Sequence, residues 1–292
     1  MYANTEPPAE DRAKVTCPMV RARKGGGKLV MVTAYDFTLA RLVDASSVDM
    51  ILVGDSLGMV MQGQANTLPV SMSDMVYHTR CVQRGVTRAL VVADMPFMSY
   101  QVSVEQAVTQ AGRLVQEGGA EAVKLEGGVD YAEHIRRIVA AGIPVVAHIG
   151  LMPQSVHALG GFKMQGRGDD AGARVLQDGH AVQEAGAFCV VLESVPPDVA
   201  AAVTRELAIP TIGIGAGPSC DGQVLVGQDL LGMGRGRAPK FVKAYASLGA
   251  QAISALEAFA DDVRRSAFPG PEHSFRANTV PPPQSGPSGS GT

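Results

Sequence analysis

The chain lacks the marks of several large protein classes. Its 292 residues contain four cysteines, Cys17, Cys81, Cys189 and Cys220, widely spaced and with no CxxC pair. That pattern gives neither a disulfide framework nor a cysteine zinc site, and it fits reduced thiols in a cytosol. Lys and Arg number 25 against 28 Asp and Glu, a formal net charge of −3. Nothing electrostatic therefore points to nucleic acid or an acidic membrane surface. No run of about 18 uncharged apolar residues occurs, so no membrane-spanning helix is expected. The opening stretch MYANTEPPAEDRAK has no apolar segment behind a basic one, so no secretory signal is expected and a cytoplasmic location is.

What is present is apolar sequence, 46% of the chain, in a repeating arrangement. Short Val/Ile/Leu runs begin at Leu29 (LVMVTAYD), Met50 (MILVGDS), Ala89 (ALVVADM), Ala122 (AVKLEGG), Pro144 (PVVAHIG), Phe188 (FCVVLES), Pro210 (PTIGIGAG) and Val224 (VLVGQDLLG). They are continuous rather than alternating, as parallel strands covered on both faces are. Amphipathic stretches separate most of them. Residues 104–118 repeat apolar positions at helical spacing and stop at Gly118 and Gly119, and residues 131–141 and 171–185 behave similarly.

Eight strands with intervening helices predict a single (β/α)₈ barrel, although a doubly wound sheet also alternates such elements. The expected divisions are a leader and helix over 1–27, a catalytic barrel over 28–275 and a disordered tail over 276–292. Residues 9–24 are expected to form a helix plugging the barrel bottom. The Pro/Gly/Ser-rich run after Ser274 carries the tail. Two segments fit the plan less simply. PSCDGQ, before the last strand, is too short for a full helix, and the glycine-rich stretch 150–170 reads as a functional loop.

Polar residues gather where these strands end, which is where a barrel builds its active site. Asp55, Asp94 and Glu126 close the second, third and fourth runs. Three carboxylates at one rim repel unless a cation neutralises them, and oxygen-only ligation suits Mg²⁺. The competing reading is that each acid caps the following helix. Lys124 lies two residues before Glu126 and so on the same face of the strand. An unpaired ammonium is costly there, so Lys124 is expected in an ion pair, awaiting an anionic ligand, or acting as a Schiff-base nucleophile. His148, from the fifth run, faces the same rim or packs in the core. Glu193 ends the sixth run after Val190, Val191 and Leu192, and suits a general base. Helix capping competes with that role, although Ser194 is the better cap. The GIGAG turn at Gly213–Gly217 either binds phosphate or permits a tight turn.

The stretch VGDSLGMVMQGQANTLPVSMSDMVYHTR resembles the signature of the ketopantoate hydroxymethyltransferase family. VVADMPFMSY, VKLEGG, HIGLMPQS, GGFKMQGR, VVLESVP, GIGAG, PKFVKAY and FPGPEHSF extend the likeness from about Lys28 to Phe275. The resemblance implies a (β/α)₈ enzyme with one Mg²⁺ per subunit, held by Asp55, Asp94 and Glu126. It implies that Asp55, Ser56, Asp94, Lys124 and His148 bind the 2-oxo acid and that Glu193 is the catalytic base. The implied reaction moves a hydroxymethyl group from 5,10-methylenetetrahydrofolate to 3-methyl-2-oxobutanoate through a Mg-stabilised enolate, giving 2-dehydropantoate for pantothenate biosynthesis. The resemblance also implies assembly as a homodecamer of two pentameric rings, the arrangement common in the family. Departures lie in the leader, in PSCDGQ and in the tail. Two alternatives remain at this level: a Mg²⁺-dependent 2-oxo acid lyase of the phosphoenolpyruvate-mutase type, and a non-catalytic barrel scaffold. The lyases carry a KKCGH-like lid motif that this sequence lacks.

Overall fold

The computed structural model describes residues 13–234 and 239–275. All eight expected strands form: β1 Leu29–Thr33, β2 Met50–Val53, β3 Leu90–Asp94, β4 Ala122–Glu126, β5 Val145–Gly150, β6 Cys189–Glu193, β7 Thr211–Ile214 and β8 Gly222–Leu225. Each pairs in parallel with the next, and β8 pairs with β1, which closes the barrel. The last strand begins two residues earlier than its apolar run suggests. Gly222 pairs with both Leu29 and Ile212, and a Cβ there would lie 2.5 Å from the Leu29 carbonyl oxygen. Only glycine fits, so hydrophobicity alone misses this start.

The helices are α1 Cys17–Ala22, α2 Phe37–Ala45, α3 Leu57–Val60, α4 Met72–Gln83, α5 Val104–Gln116, α6 Ala132–Ala140, α7 Asp169–Glu184, α8 Pro197–Glu206, α9 Gly227–Leu230 and α10 Leu248–Arg264. Their starts follow local chemistry. Ser71 and Asp74 form a reciprocal capping box on α4, and the Ser103 hydroxyl caps α5 by accepting from Gln106 N. As the short PSCDGQ link requires, no helix separates β7 from β8.

Strand residues divide between two cores because side chains alternate across the sheet. Ile51, Val53, Val91, Ala93, Val123, Leu125, Ala147 and Leu192 face the helices and pack against α2 and α4 to α8. Met31, Met50, Leu52, Leu90, Val92, Ala122, Val146, Cys189, Val191 and Ile212 fill the barrel interior. The expected plug is present in shortened form. Its helix covers only Cys17–Ala22, yet Val15 and Val20 are buried in that interior cluster. Lys14 pairs with Glu121 at 2.7 Å, and Lys24 with Asp221 at 2.9 Å, fastening the segment beneath the strands.

Residues 1–246 form one compact unit and 247–292 a second. Residues 247–275, expected within the barrel domain, thus group apart from it. In the second unit α10 precedes a 3₁₀ turn, Pro271–His273, and Phe259 meets Phe268 edge-on at 5.5 Å. The expected tail and the first twelve residues of the leader lie outside the described residues. Among the described residues, no helix is long and apolar enough to cross a membrane.

Candidate active site

The inward rows of four adjacent strands change character from bottom to top. On β3 the row reads Leu90, Val92, Asp94; on β4, Ala122, Lys124, Glu126; on β5, Val146, His148; on β6, Cys189, Val191, Glu193. Apolar residues fill the lower layers, and the top layer is charged. Parallel register sets Asp94 beside Lys124 and Glu126 beside His148. Asp55 and Ser56 follow β2 in the turn into α3. Thr33, Asp55, Ser56, Asp94, Lys124, Glu126, His148 and Glu193 line one cavity of about 470 Å³ at the C-terminal end of the barrel.

Capping does not explain the acids. The residue before α3 is Ser56, α5 is capped by Ser103, and Gly128 precedes the turn after Glu126. Nor does Ser194 cap α8, whose N-cap is Pro196 with no side-chain bond. Ser194 instead sits at φ +47°, its N–H donating to Ile214 O.

Asp55, Asp94, Lys124, Glu126 and His148 are all buried, whereas the Glu193 side chain is 18% exposed toward the cavity. Lys124 Nζ lies 2.7 Å from Asp94 Oδ1, so the ion pair expected of a strand lysine is made. Burial opposes its charge, but Asp94, Glu126 and Asp55 more than offset this and raise its pKa. Burial and the neighbouring Asp94 and Glu126 charges push Asp55 up to about 8, against opposition from Lys124 and the Gln154 amide. For His148, burial and Lys124 favour the neutral ring, yet contacts with Glu126 and Glu193 prevail and raise it to about 9. The site is thus an excess of buried carboxylate held by one ammonium and one imidazolium.

Sequence reasoning passed over several residues that build this site. Gln154, in the 3₁₀ turn Pro153–Ser155 after β5, donates from its side-chain nitrogen to Asp55 Oδ2 at 2.9 Å and to Met95 O at 2.9 Å. Its backbone N–H donates to Glu126 Oε2 at 3.0 Å. The Tyr35 hydroxyl lies 2.8 Å from Ser56 Oγ, and burial holds that phenol well above its ordinary pKa. Gln154 lay within the HIGLMPQS motif and Tyr35 within the first strand run, but neither residue type announces a role without its partner. The long 150–170 loop also brings Phe162 to the lining of this cavity, which Phe241 shares. At GIGAG the structure favours the tight-turn reading. Gly217 has φ +79°, and a Cβ there would meet the Pro197 ring at 2.8 Å. A larger cavity, about 670 Å³, shares Glu126 with the first but reaches none of Asp55, Asp94, Lys124 or Glu193.

Fold and site together define a (β/α)₈ enzyme architecture whose chemistry is concentrated at the C-terminal ends of β2 to β6. Comparison with known proteins gives the family. The pattern of ketopantoate hydroxymethyltransferase matches residues 14–271. A 3-methyl-2-oxobutanoate hydroxymethyltransferase of Syntrophus aciditrophicus (strain SB) is 55% identical over 263 residues, covering 90% of this chain and 97% of that protein. One of Moorella thermoacetica (strain ATCC 39073 / JCM 9320) is 54% identical over 266 residues, covering 91% and 99%. The chain belongs to the ketopantoate hydroxymethyltransferase family. Among solved structures, phosphonopyruvate hydrolase in complex with oxalate and Mg²⁺ superposes with a TM-score of 0.58 at 15% identity, covering 89% of this chain and 93% of that one. The 2,3-dimethylmalate lyase gives 0.55 at 18% identity, covering 92% of each. At those identities the likeness is one of fold.

Proposed function

We propose that this chain catalyses the reaction for which its relatives are named. It adds a hydroxymethyl group to 3-methyl-2-oxobutanoate, with 5,10-methylenetetrahydrofolate and water as the other reactants and 2-dehydropantoate and tetrahydrofolate as products. The observation that carries this reading is the placement of Glu193 in one cavity with Asp55, Asp94, Lys124, Glu126 and His148.

The donor set fits a hard divalent cation such as Mg²⁺, one per subunit. Three buried acids share one ammonium and one imidazolium, and burial together with the Asp94 and Glu126 charges drives Asp55 toward its neutral form. Among the described residues, no three acids, histidines or cysteines form a ready-made ligand cage. That suits Mg²⁺, which takes one or two carboxylates and completes its shell with water and substrate oxygens. Asp55 and Asp94, with Glu126 behind them, would hold it. When bound, the cation supplies Lewis-acid polarisation of the substrate's keto group.

The remaining chemistry falls to side chains. Glu193, partly open to the cavity, removes the proton from the carbon beside the carbonyl. His148 holds Glu193 in place by an imidazolium contact of 3.3 Å. Lys124 places positive charge where the substrate carboxylate and the developing enolate require it. Ser56, oriented by Tyr35, donates to the carboxylate. Phe162, Pro239 and Phe241 add apolar surface to the cavity lining, against which the folate ring would pack. Assembly as a homodecamer and action in the cytoplasm belong to the same reading.

The test is tetrahydrofolate release from 5,10-methylenetetrahydrofolate in the presence of 3-methyl-2-oxobutanoate, with Mg²⁺ and with EDTA. Release that requires both the oxo acid and the metal is expected. Absence of release with Mg²⁺ would remove the reading. Folate-independent cleavage of a substituted malate would point to lyase chemistry instead.

A further inference from the structure

We propose that Gln154 is a positioning residue that presets the rim carboxylates for a divalent cation. The inference rests on the metal site proposed above and assigns a role to a residue outside it. One oxygen of each rim carboxylate is tied by an N–H donor. Asp94 Oδ2 accepts from the Asp55 backbone at 3.0 Å. Asp55 Oδ2 accepts from the Gln154 side chain at 2.9 Å, and Glu126 Oε2 from the Gln154 backbone at 3.0 Å. Two of the three ties therefore come from one residue, delivered by the loop after β5. They leave the second oxygen of each acid, Asp55 Oδ1, Asp94 Oδ1 and Glu126 Oε1, off these ties, the Asp94 one 2.7 Å from Lys124 Nζ and the Glu126 one 3.6 Å from His148 Nδ1.

The Gln154 amide is fixed in orientation. Its nitrogen faces Met95 O, which can only accept, as well as Asp55. Its oxygen takes the Tyr100 hydroxyl at 2.9 Å and Gln101 Nε2 at 3.0 Å. A flipped amide would set oxygen against both Met95 O and Asp55 Oδ2. Tyr100 extends the lock, since its hydroxyl also lies 3.0 Å from Glu126 O and accepts from Glu126 N at 3.2 Å. Besides Asp55, the amide thus engages Met95, next to Asp94, Tyr100, which braces Glu126, and Gln101. A side chain that only filled space there would need no such arrangement, and a shorter Asn would not span it.

Partners that orient metal ligands typically cost 10–100-fold in metal affinity when removed. Gln154→Leu removes the side-chain tie to Asp55 but keeps the backbone tie to Glu126. The measurement is Mn²⁺ binding to the full chain, read from loss of the free-ion electron paramagnetic resonance signal, with Asp94→Asn marking the site. The wild type is expected to bind Mn²⁺ and Asp94→Asn to lose that binding. Gln154→Leu is expected to bind about 10–100-fold more weakly at an unchanged circular dichroism spectrum, with turnover recovering at saturating metal. Gln101→Ala, which loosens the amide from outside, is expected to weaken binding less, and it decides the matter if Gln154→Leu does not fold. Failure of the wild type to bind Mn²⁺ would sink the metal site itself. Wild-type binding with undiminished affinity in the folded Gln154→Leu variant, or failing that in Gln101→Ala, would overturn the role of Gln154 alone.

Discussion

His148 stands between two acids: its Nε2 lies 3.3 Å from Glu193 Oε2 and its Nδ1 3.6 Å from Glu126 Oε1. With its pKa raised to about 9, the ring is cationic at neutral pH and sets positive charge beside both. Glu193 is the partner open to the cavity, which is why the base role is proposed for it. Glu193→Gln keeps the shape and removes the proton acceptor. It is expected to bind 3-methyl-2-oxobutanoate and Mg²⁺ as before, and to slow exchange of the C3 proton by about 10²–10⁴-fold. Proton NMR of the substrate in deuterated buffer follows the exchange. An undiminished rate in the variant would take the base role from Glu193.

Much of this arrangement was legible in the sequence because a parallel barrel writes its topology as apolar runs and its active site as the polar residue ending each run. Asp94, Glu126 and Glu193 end their strands, Lys124 and His148 stand two residues short of the end, and the alternation of β4 alone set Lys124 and Glu126 on one face. What was not legible depended on contacts between distant segments. Gln154 reads as an ordinary loop residue until Asp55, 99 positions away, is brought against it. The start of β8 was hidden because glycine and glutamine begin it, and the shape of the chain around Gly222 decides that start. Grouping residues 247–275 with the barrel followed from sequence likeness, which carries no information on compactness.

The buried charges make stability of the metal-free chain depend on pH. Asp55, an acid near 4 when unfolded, is raised to about 8 in the fold, so the native state holds the extra proton between those values. Its contribution is complete below about pH 4 and is lost as pH rises through about 8. His148 acts in the same sense, because its raised pKa adds stability that is lost between about 6.5 and 9. With EDTA present, the melting temperature is expected to fall from pH 5 to pH 9. Mg²⁺ is expected to restore it, most strongly at the alkaline end where it replaces the missing protons. A flat profile in EDTA, or no gain from Mg²⁺, would contradict this account.

Lys124 is committed to Asp94 at 2.7 Å and kept protonated by three carboxylates, which disfavours its use as a nucleophile. Borohydride added with 3-methyl-2-oxobutanoate is therefore expected to leave the protein's mass unchanged. A mass gain at Lys124 would revive the Schiff-base alternative. Lys124→Met removes one partner of a buried pair and leaves its carboxylates uncompensated, a loss of about 3–5 kcal/mol by analogy with other broken buried pairs. Urea denaturation in EDTA measures this, and Mg²⁺ is expected to recover part of the loss in the variant.

Asp44 tests the barrel away from its chemistry. It sits in the last turn of α2, where a carboxylate opposes the helix dipole, so tertiary contacts must hold it there. Its two oxygens accept from Thr87 N at 2.8 Å, Thr87 Oγ1 at 2.9 Å, Arg88 N at 3.0 Å and Ala89 N at 2.7 Å, gathering the turn that leads into β3. Burial alone would raise its pKa, but these donors outweigh burial and lower it. The stability it gives is therefore present above about pH 4 and is lost as pH falls through the depressed folded value. Asp44→Ala strands three backbone N–H groups at roughly 1–3 kcal/mol each, so a total near 3 kcal/mol is expected at pH 7 after partial rehydration. Asp44→Asn keeps one acceptor and is expected to lose less, with a shallower acid transition than the wild type. Because the turn at residues 87–89 precedes β3, at the end of the strand opposite Asp94, turnover of the folded variants is expected to match the wild type at low temperature. A loss below about 1 kcal/mol in Asp44→Ala, measured by urea titration, would show that water replaces these bonds and that Asp44 does not brace the strand.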